Sequence, residues 1–209
     1  MASAFRAKGS GAKLRYVAGL SAAERTALAS VLGEVLQIVA PQALAQSEAP
    51  APDAFGSIVA QLGPLGREPA DMDRADERDR ALDRLIPAAY REDDAVAAEF
   101  RRLTEFGIRE RKGQGLRQAI AALRRSGPFA LSPAEAARFA TALTDARLVI
   151  ADRLEITEEG DAEVLERELA EMADPQTHPL VHLVAMYDFL AWLQETLSVA
   201  LLASVRTDS

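Results

Sequence analysis

The sequence contains no cysteine, which excludes disulfides, zinc–thiolate sites and thiol switches and leaves redox chemistry silent about compartment. Aromatic residues make up only 5% of its 209 positions, so a core must be assembled from Ala, Leu, Val and Ile, residues that suit close helix packing. Positive charge is in deficit. A net charge of −8 argues against a general nucleic-acid or anionic-membrane binder, local patches excepted. An uninterrupted membrane-spanning run is also missing: the longest apolar stretch, His178 to Arg206, is broken by His182, Asp188, Gln194 and Glu195 well short of the ~18 residues a span needs. The opening MASAFRAKGSGAKLRY has basic residues with no continuous apolar core behind them, and the apolar VLQIVAPQALAQ comes too late for a secretory signal, so a cytoplasmic location is expected. Gly9-Ser10-Gly11 and Lys112-Gly113-Gln114-Gly115 lack the P-loop and dinucleotide spacings, and there is no Gly-x-Ser-x-Gly. No catalytic or cofactor motif remains, and a non-enzymatic chain without cofactor is expected.

What is present reads as helix. From Pro179 onward, Leu180, Leu183, Val184, Tyr187, Leu190, Ala191, Leu197 and Leu201 recur at three- and four-residue spacings, while Met186, Phe189, Trp192 and Leu193 widen the apolar surface; such a helix needs neighbours on several sides. Upstream, Ser21-Ala22-Ala23-Glu24 and Ser132-Pro133-Ala134-Glu135 are capping boxes, opening helices that run to about Val39 and about Leu154. Asp93-Asp94 start a further helix, in which Gly113 and Gly115 predict a bend near Lys112. Alternation of Phe5/Ala7 and Leu14/Tyr16 with Arg6, Lys8, Lys13 and Arg15 around Gly-Ser-Gly predicts a hairpin over 4–17, with strands Ala4 to Ala7 and Ala12 to Val17; Phe129-Ala130-Leu131 is the best candidate for a third strand. Residues 47–72 read as an irregular connector, with a short helix around Phe55 to Leu62, and 155–177 as an exposed acidic segment with a short helix near Leu165 and Leu169. The expected fold is mainly α: a single domain over 1–209, a helical bundle around a long C-terminal helix, with a small N-terminal β-hairpin or three short strands.

Three constellations carry chemistry. On the helix from Pro133, Arg147 falls within the stripe Ala140, Leu143, Ile150 and Leu154, and an arginine there must be paired; Asp188 and Glu195, seven apart on the C-terminal helix, are its expected partners in a partly buried ion pair. Arg101, Arg102, Arg109, Arg111 and Lys112, with Arg117, Arg124 and Arg125, are opposed only by Glu105 and Glu110, and together with the cationic hairpin could form a basic surface; the first five are the candidate partner-binding residues. His178 and His182 have the spacing of metal ligands, but His178 precedes Pro179 and falls at the helix cap, and the glutamate of a zincin motif is missing, so no metal site is expected.

The segments Leu85-Ile86-Pro87-Ala88-Ala89-Tyr90-Arg91-Glu92-Asp93, Glu99-Phe100-Arg101-Arg102-Leu103-Thr104-Glu105, Asp145-Ala146-Arg147-Leu148-Val149-Ile150 with Arg153-Leu154, and Tyr187-Asp188-Phe189-Leu190 with Leu193-Gln194-Glu195 resemble an actinobacterial family catalogued as a domain of unknown function and named after the oxidative-stress transcriptional regulator AosR. The resemblance runs from the hairpin to about Leu202. It implies a cytoplasmic, non-enzymatic protein that acts on transcription through a stress sigma factor or RNA polymerase and reads oxidation through a cysteine pair. This chain departs from that pattern in having no cysteine, so no family site residue carries over. The sequence therefore predicts a regulatory interaction protein with a protein partner. Direct DNA binding through the hairpin and residues 101–125, or small-molecule binding in an apolar pocket with convergent polar groups, are the alternatives.

Overall fold

The computed structural model describes residues 2–41, 80–87, 94–158, 160–171 and 179–207, with backbone alone for 94–103 and a few further positions. The expected connector over 47–72 and its short helix lie outside the described residues, as does His178.

Strands β1 (Ser3–Lys8) and β2 (Arg15–Gly19) pair antiparallel, Arg6 opposite Val17 and Lys8 opposite Arg15, and β3 (Phe129–Leu131) adds to the other edge of β2 with Tyr16 opposite Leu131. The order β1-β2-β3 supplies the third strand that the sequence suggested. The second strand starts later than expected, because Gly11–Lys13 form a 3-10 turn. Gly9 makes the turn feasible: its φ is +79°, and a Cβ there would lie 2.6 Å from the Lys13 carbonyl oxygen. The period of two sends Phe5, Tyr16, Ala18, Phe129 and Leu131 inward and leaves Arg6, Lys8 and Arg15 exposed. Beneath the sheet, Phe5, Phe129 and Phe139 form an aromatic cluster with ring centroids 5.4–6.3 Å apart in tilted and edge arrangements.

The helices are α1 (Ala22–Val39), α2 (Arg80–Leu85), α3 (Asp94–Leu123), α4 (Pro133–Arg153), α5 (Asp161–Ala170) and α6 (Pro179–Thr207). Both capping boxes close as read. Ser21 accepts from the Glu24 N–H while Glu24 accepts from the Ser21 N–H, and Ser132 and Glu135 repeat the arrangement. Helix α3 runs as one continuous element through Gly113 and Gly115, so the glycines predicted to bend it near Lys112 do not break it. Gly113 faces α1: a Cβ there would be in van der Waals contact with Ala40 Cβ at 3.4 Å and a Leu36 methyl at 3.6 Å.

The molecule is mainly helical, with its long C-terminal helix α6 as predicted and the small sheet at the N-terminus. Helix α4 packs against α1, α2, α3 and α6 and touches β2 and β3, which buries Leu143, Ala146, Val149 and Ile150 completely. The sheet sits on α6 through two polar ties: the Phe5 N–H donates to Thr196 Oγ1, and Tyr16 Oη lies 2.6 Å from Ser204 Oγ. Ser204 Oγ already donates to the Leu201 carbonyl, so the tyrosine is the donor. The expected acidic segment contains α5, whose Leu169 is buried and whose Glu163 and Arg167 are exposed; Asp161 accepts from the N–H groups of Thr157 and Glu158 at its start. No helix among the described residues is long and apolar enough to cross a membrane.

Candidate functional site

Helix periodicity returns to the same face after seven residues, and α4 uses this to carry two carboxylates inward, Asp145 and Asp152, 2% and 6% exposed. A buried carboxylate needs a cation, and each is met by one from a different helix. Lys112 Nζ of α3 donates to Asp145 Oδ1 at 2.6 Å. Arg84 Nε of α2 lies 3.2 Å from Asp152 Oδ1, while its Nη1 donates to the Ile156 carbonyl at 2.8 Å; the neighbouring Arg153 donates to Asp152 Oδ2 at 3.3 Å. Burial pushes the Asp145 carboxyl above its ordinary range, and the Lys112 hydrogen bond and charge oppose that rise. Close to the second pair, burial lifts Glu34 of α1 to about 7, with the charge of Arg153 pulling the other way.

The two pairs are comparably shielded, the side chains of Asp152 and Asp145 each being 4% exposed beneath a partly exposed cation, and the Lys112–Asp145 pair in addition lines a cleft of about 280 Å³ between α3 and α4. Leu116 and Ala142 form its apolar floor. Arg111 from α3 and Arg138 from α4 stand exposed on its walls, and neither has an ion-pair or hydrogen-bond partner among the described residues. Gln114, Gln118 and Thr141 complete a rim of amide and hydroxyl groups. Three cations face one buried carboxylate, so the cleft is electropositive within an acidic chain. Guanidinium forks and an ammonium with N–H donors to spare are the groups that hold carboxylates and phosphates.

A family model described as Domain of unknown function (DUF2017) matches residues 2–201. The chain belongs to this family. No curated protein and no solved structure matches it.

Of the basic residues singled out in the DUF2017 sequence, the structure brings Arg111 and Lys112 to the cleft. Arg109 turns to Glu105, one helical turn earlier, at 2.7 Å, and the side chains of Arg101 and Arg102 lie outside the described residues. Arg125 pairs with Glu135 across the turn into α4, and Arg117 and Arg124 are exposed. Sequence reasoning missed Arg138 and Asp145. Both sit on α4, and the available signal was an acidic residue two positions before the stripe arginine, inside a helix whose neighbours are otherwise apolar.

The predicted ion pair of Arg147 with Asp188 or Glu195 is not formed. Arg147 donates instead to Gln194 Oε1 at 3.1 Å and Tyr187 Oη at 3.3 Å, and its guanidinium lies 5.2 Å from the Tyr187 ring centroid. Gln194 in turn donates to Thr144 at 2.8 Å, which closes a polar network between α4 and α6. The reason is angular. Tyr187 and Gln194 are seven apart on the face of α6 that meets α4; Asp188 and Glu195 are each one residue further, about 100° around the helix, and both are exposed.

Proposed function

We propose that this DUF2017 chain is a non-enzymatic regulatory interaction protein, and that the electropositive mouth of the α3–α4 cleft receives an acidic segment of a protein partner. The observation that carries the reading is the pair of guanidiniums, Arg111 and Arg138, which are unengaged among the described residues and line, from two helices, the same cleft as the Lys112–Asp145 pair. Acidic side chains meeting such an array gain bidentate, charge-assisted hydrogen bonds and a steered approach. The identity of the partner comes from the resemblance to the actinobacterial family named after AosR, which supports a transcription-associated stress regulator acting in the cytoplasm on a sigma factor or RNA polymerase. The signal is then not a disulfide within this chain, because the sequence has no cysteine.

Direct DNA binding is the second reading, favoured by exposed Arg6, Lys8, Lys13 and Arg15 on the hairpin. Capture of the tagged protein from its native cytosol, with and without nuclease, followed by mass spectrometry, separates the two. Nuclease-resistant enrichment of polymerase or a sigma factor is the result expected here. Enrichment lost on nuclease treatment, with affinity for duplex DNA that falls steeply between ~50 and ~200 mM salt, would replace the partner reading with the DNA one.

A further inference from the structure

We propose that the α3–α4 cleft is itself a binding site for a small dianion with a compact apolar group, a phosphate monoester being the chemistry that fits. The inference stands on the cleft alone and does not depend on the partner reading. Arg111, Arg138 and Lys112 present three positive charges, and Asp145 offsets one, leaving charge for a dianion. The two guanidiniums are unengaged among the described residues, so an incoming anion breaks no existing bond to either. Lys112 commits one N–H to Asp145 Oδ1 and retains two donors, and its side chain, 21% exposed, borders the cleft, whereas Asp145 at 4% lies beneath it. The buried acid thus fixes the ammonium at a set position, and the guanidinium forks supply the planar geometry a phosphate prefers.

The rest of the lining explains the second half of the ligand. Leu116 and Ala142 close the base of the cleft and are already shielded from solvent, and most of the surface the cleft still exposes is carbon of its other lining residues, which a bare inorganic anion would leave uncovered and an aryl or alkyl group attached to the phosphate would cover. Size limits that group. The cleft, at about 280 Å³, lies at the lower bound of ligand pockets, roughly 300 Å³, which admits a small phosphate ester and leaves most of a nucleotide outside. Gly115 borders the cleft, and a Cβ built there meets no atom within 4 Å. Its lack of a side chain keeps the space open without any demand from backbone conformation, since it sits in mid-helix.

The test is calorimetric titration of the full chain with phenyl phosphate, inorganic phosphate and phenol in a phosphate-free buffer. Phenyl phosphate is expected to bind at least tenfold more tightly than either inorganic phosphate or phenol. Arg138→Gln is expected to weaken it tenfold or more, and Gly115→Leu to abolish binding while the thermal unfolding midpoint stays at or above that of the unsubstituted chain. No detectable binding of phenyl phosphate, equal affinity for inorganic phosphate, or undiminished binding by folded Gly115→Leu would each overturn the proposal. Because no partner is present in the titration, its failure leaves the capture experiment untouched, and the reverse also holds.

Discussion

At the scale of single residues the molecule is governed by where each charge finds its counter-charge. Asp145 is buried and can be tolerated only with Lys112 beside it, so Asp145→Ala, which leaves the half-buried ammonium unpaired, should destabilise by about 3 kcal/mol, as removal of one partner of a buried pair does. Replacing both partners with apolar residues, Lys112→Met with Asp145→Leu, should cost less than the sum of the two single changes. A double-mutant cycle in denaturant measures the coupling, and additivity would mean that the pair contributes nothing as a pair. Arg147 gives the complementary prediction. Gln194→Ala should cost about 1 kcal/mol through its lost hydrogen bonds to Arg147 and Thr144, while Asp188→Asn on the exposed side of α6 should stay within about 0.5 kcal/mol. A larger effect at Asp188 would restore the ion pair that the geometry replaces. Glu34 adds a pH signature. With a folded pKa of about 7 against an ordinary 4.5, the native state keeps a proton that the unfolded chain has released between those values, so stability falls as pH rises through that window. Glu34→Gln should flatten the fall, so that its midpoint exceeds that of the unsubstituted protein at pH 8 and the two converge near pH 4. Parallel curves for the two proteins would show that Glu34 is not the group responsible.

At the scale of elements, local chemistry was readable in the sequence and most long-range pairing was not. The two capping boxes were legible because each depends on residues within a few positions of one another; the third strand, Phe129–Leu131, is the exception, read as a partner of the hairpin although it lies far from β2 in the chain. Ser132 and Glu135 also allow a test of their helix. Burial disfavours the charge on Glu135, but hydrogen bonds from the Ser132 N–H and hydroxyl and from Arg125, together with the Arg125 charge, outweigh it and hold the carboxyl at about 2. That contribution is present above the ordinary value of 4.5 and is lost as pH falls toward 2. Ser132→Ala should therefore cost about 1 kcal/mol at neutral pH and less at pH 3, read from denaturant midpoints at the two pH values. Propensity marked Gly113 as a weak point of its helix but not as the place where α3 meets α1, where a Cβ would come into van der Waals contact with Ala40 and Leu36. Which face of a helix meets which neighbour escaped the sequence most often. A stripe read from spacing has edges uncertain by one residue, and one residue is about 100°, enough to exchange Gln194 for Glu195 or Tyr187 for Asp188 as partner of Arg147.

At the scale of the whole molecule, composition pointed to a helical bundle, since few aromatics and many small aliphatic residues favour closely packed helices, and α4 shows what that bundle is built to do. It contacts helices on several sides and delivers one carboxylate to Arg84 of α2 and another to Lys112 of α3 at an open cleft. The cleft was half legible: Arg111 and Lys112 stood out as part of a basic run, but Arg138 and Asp145 belong to another helix, and only the tertiary approach of α3 to α4 makes the four into one site. The proposed contact surface for an acidic partner is this electropositive mouth. The most direct measurement is quantitative capture from native cytosol, after nuclease treatment, by the unsubstituted chain and by the double charge reversal Arg111→Glu with Arg138→Glu. Both residues are exposed and free of partners among the described residues, so the reversal should leave the thermal midpoint unchanged. A contact at the mouth should cost the charge-reversed protein at least tenfold of the nuclease-resistant partner with its fold intact; equal recovery by the two proteins would place the contact elsewhere.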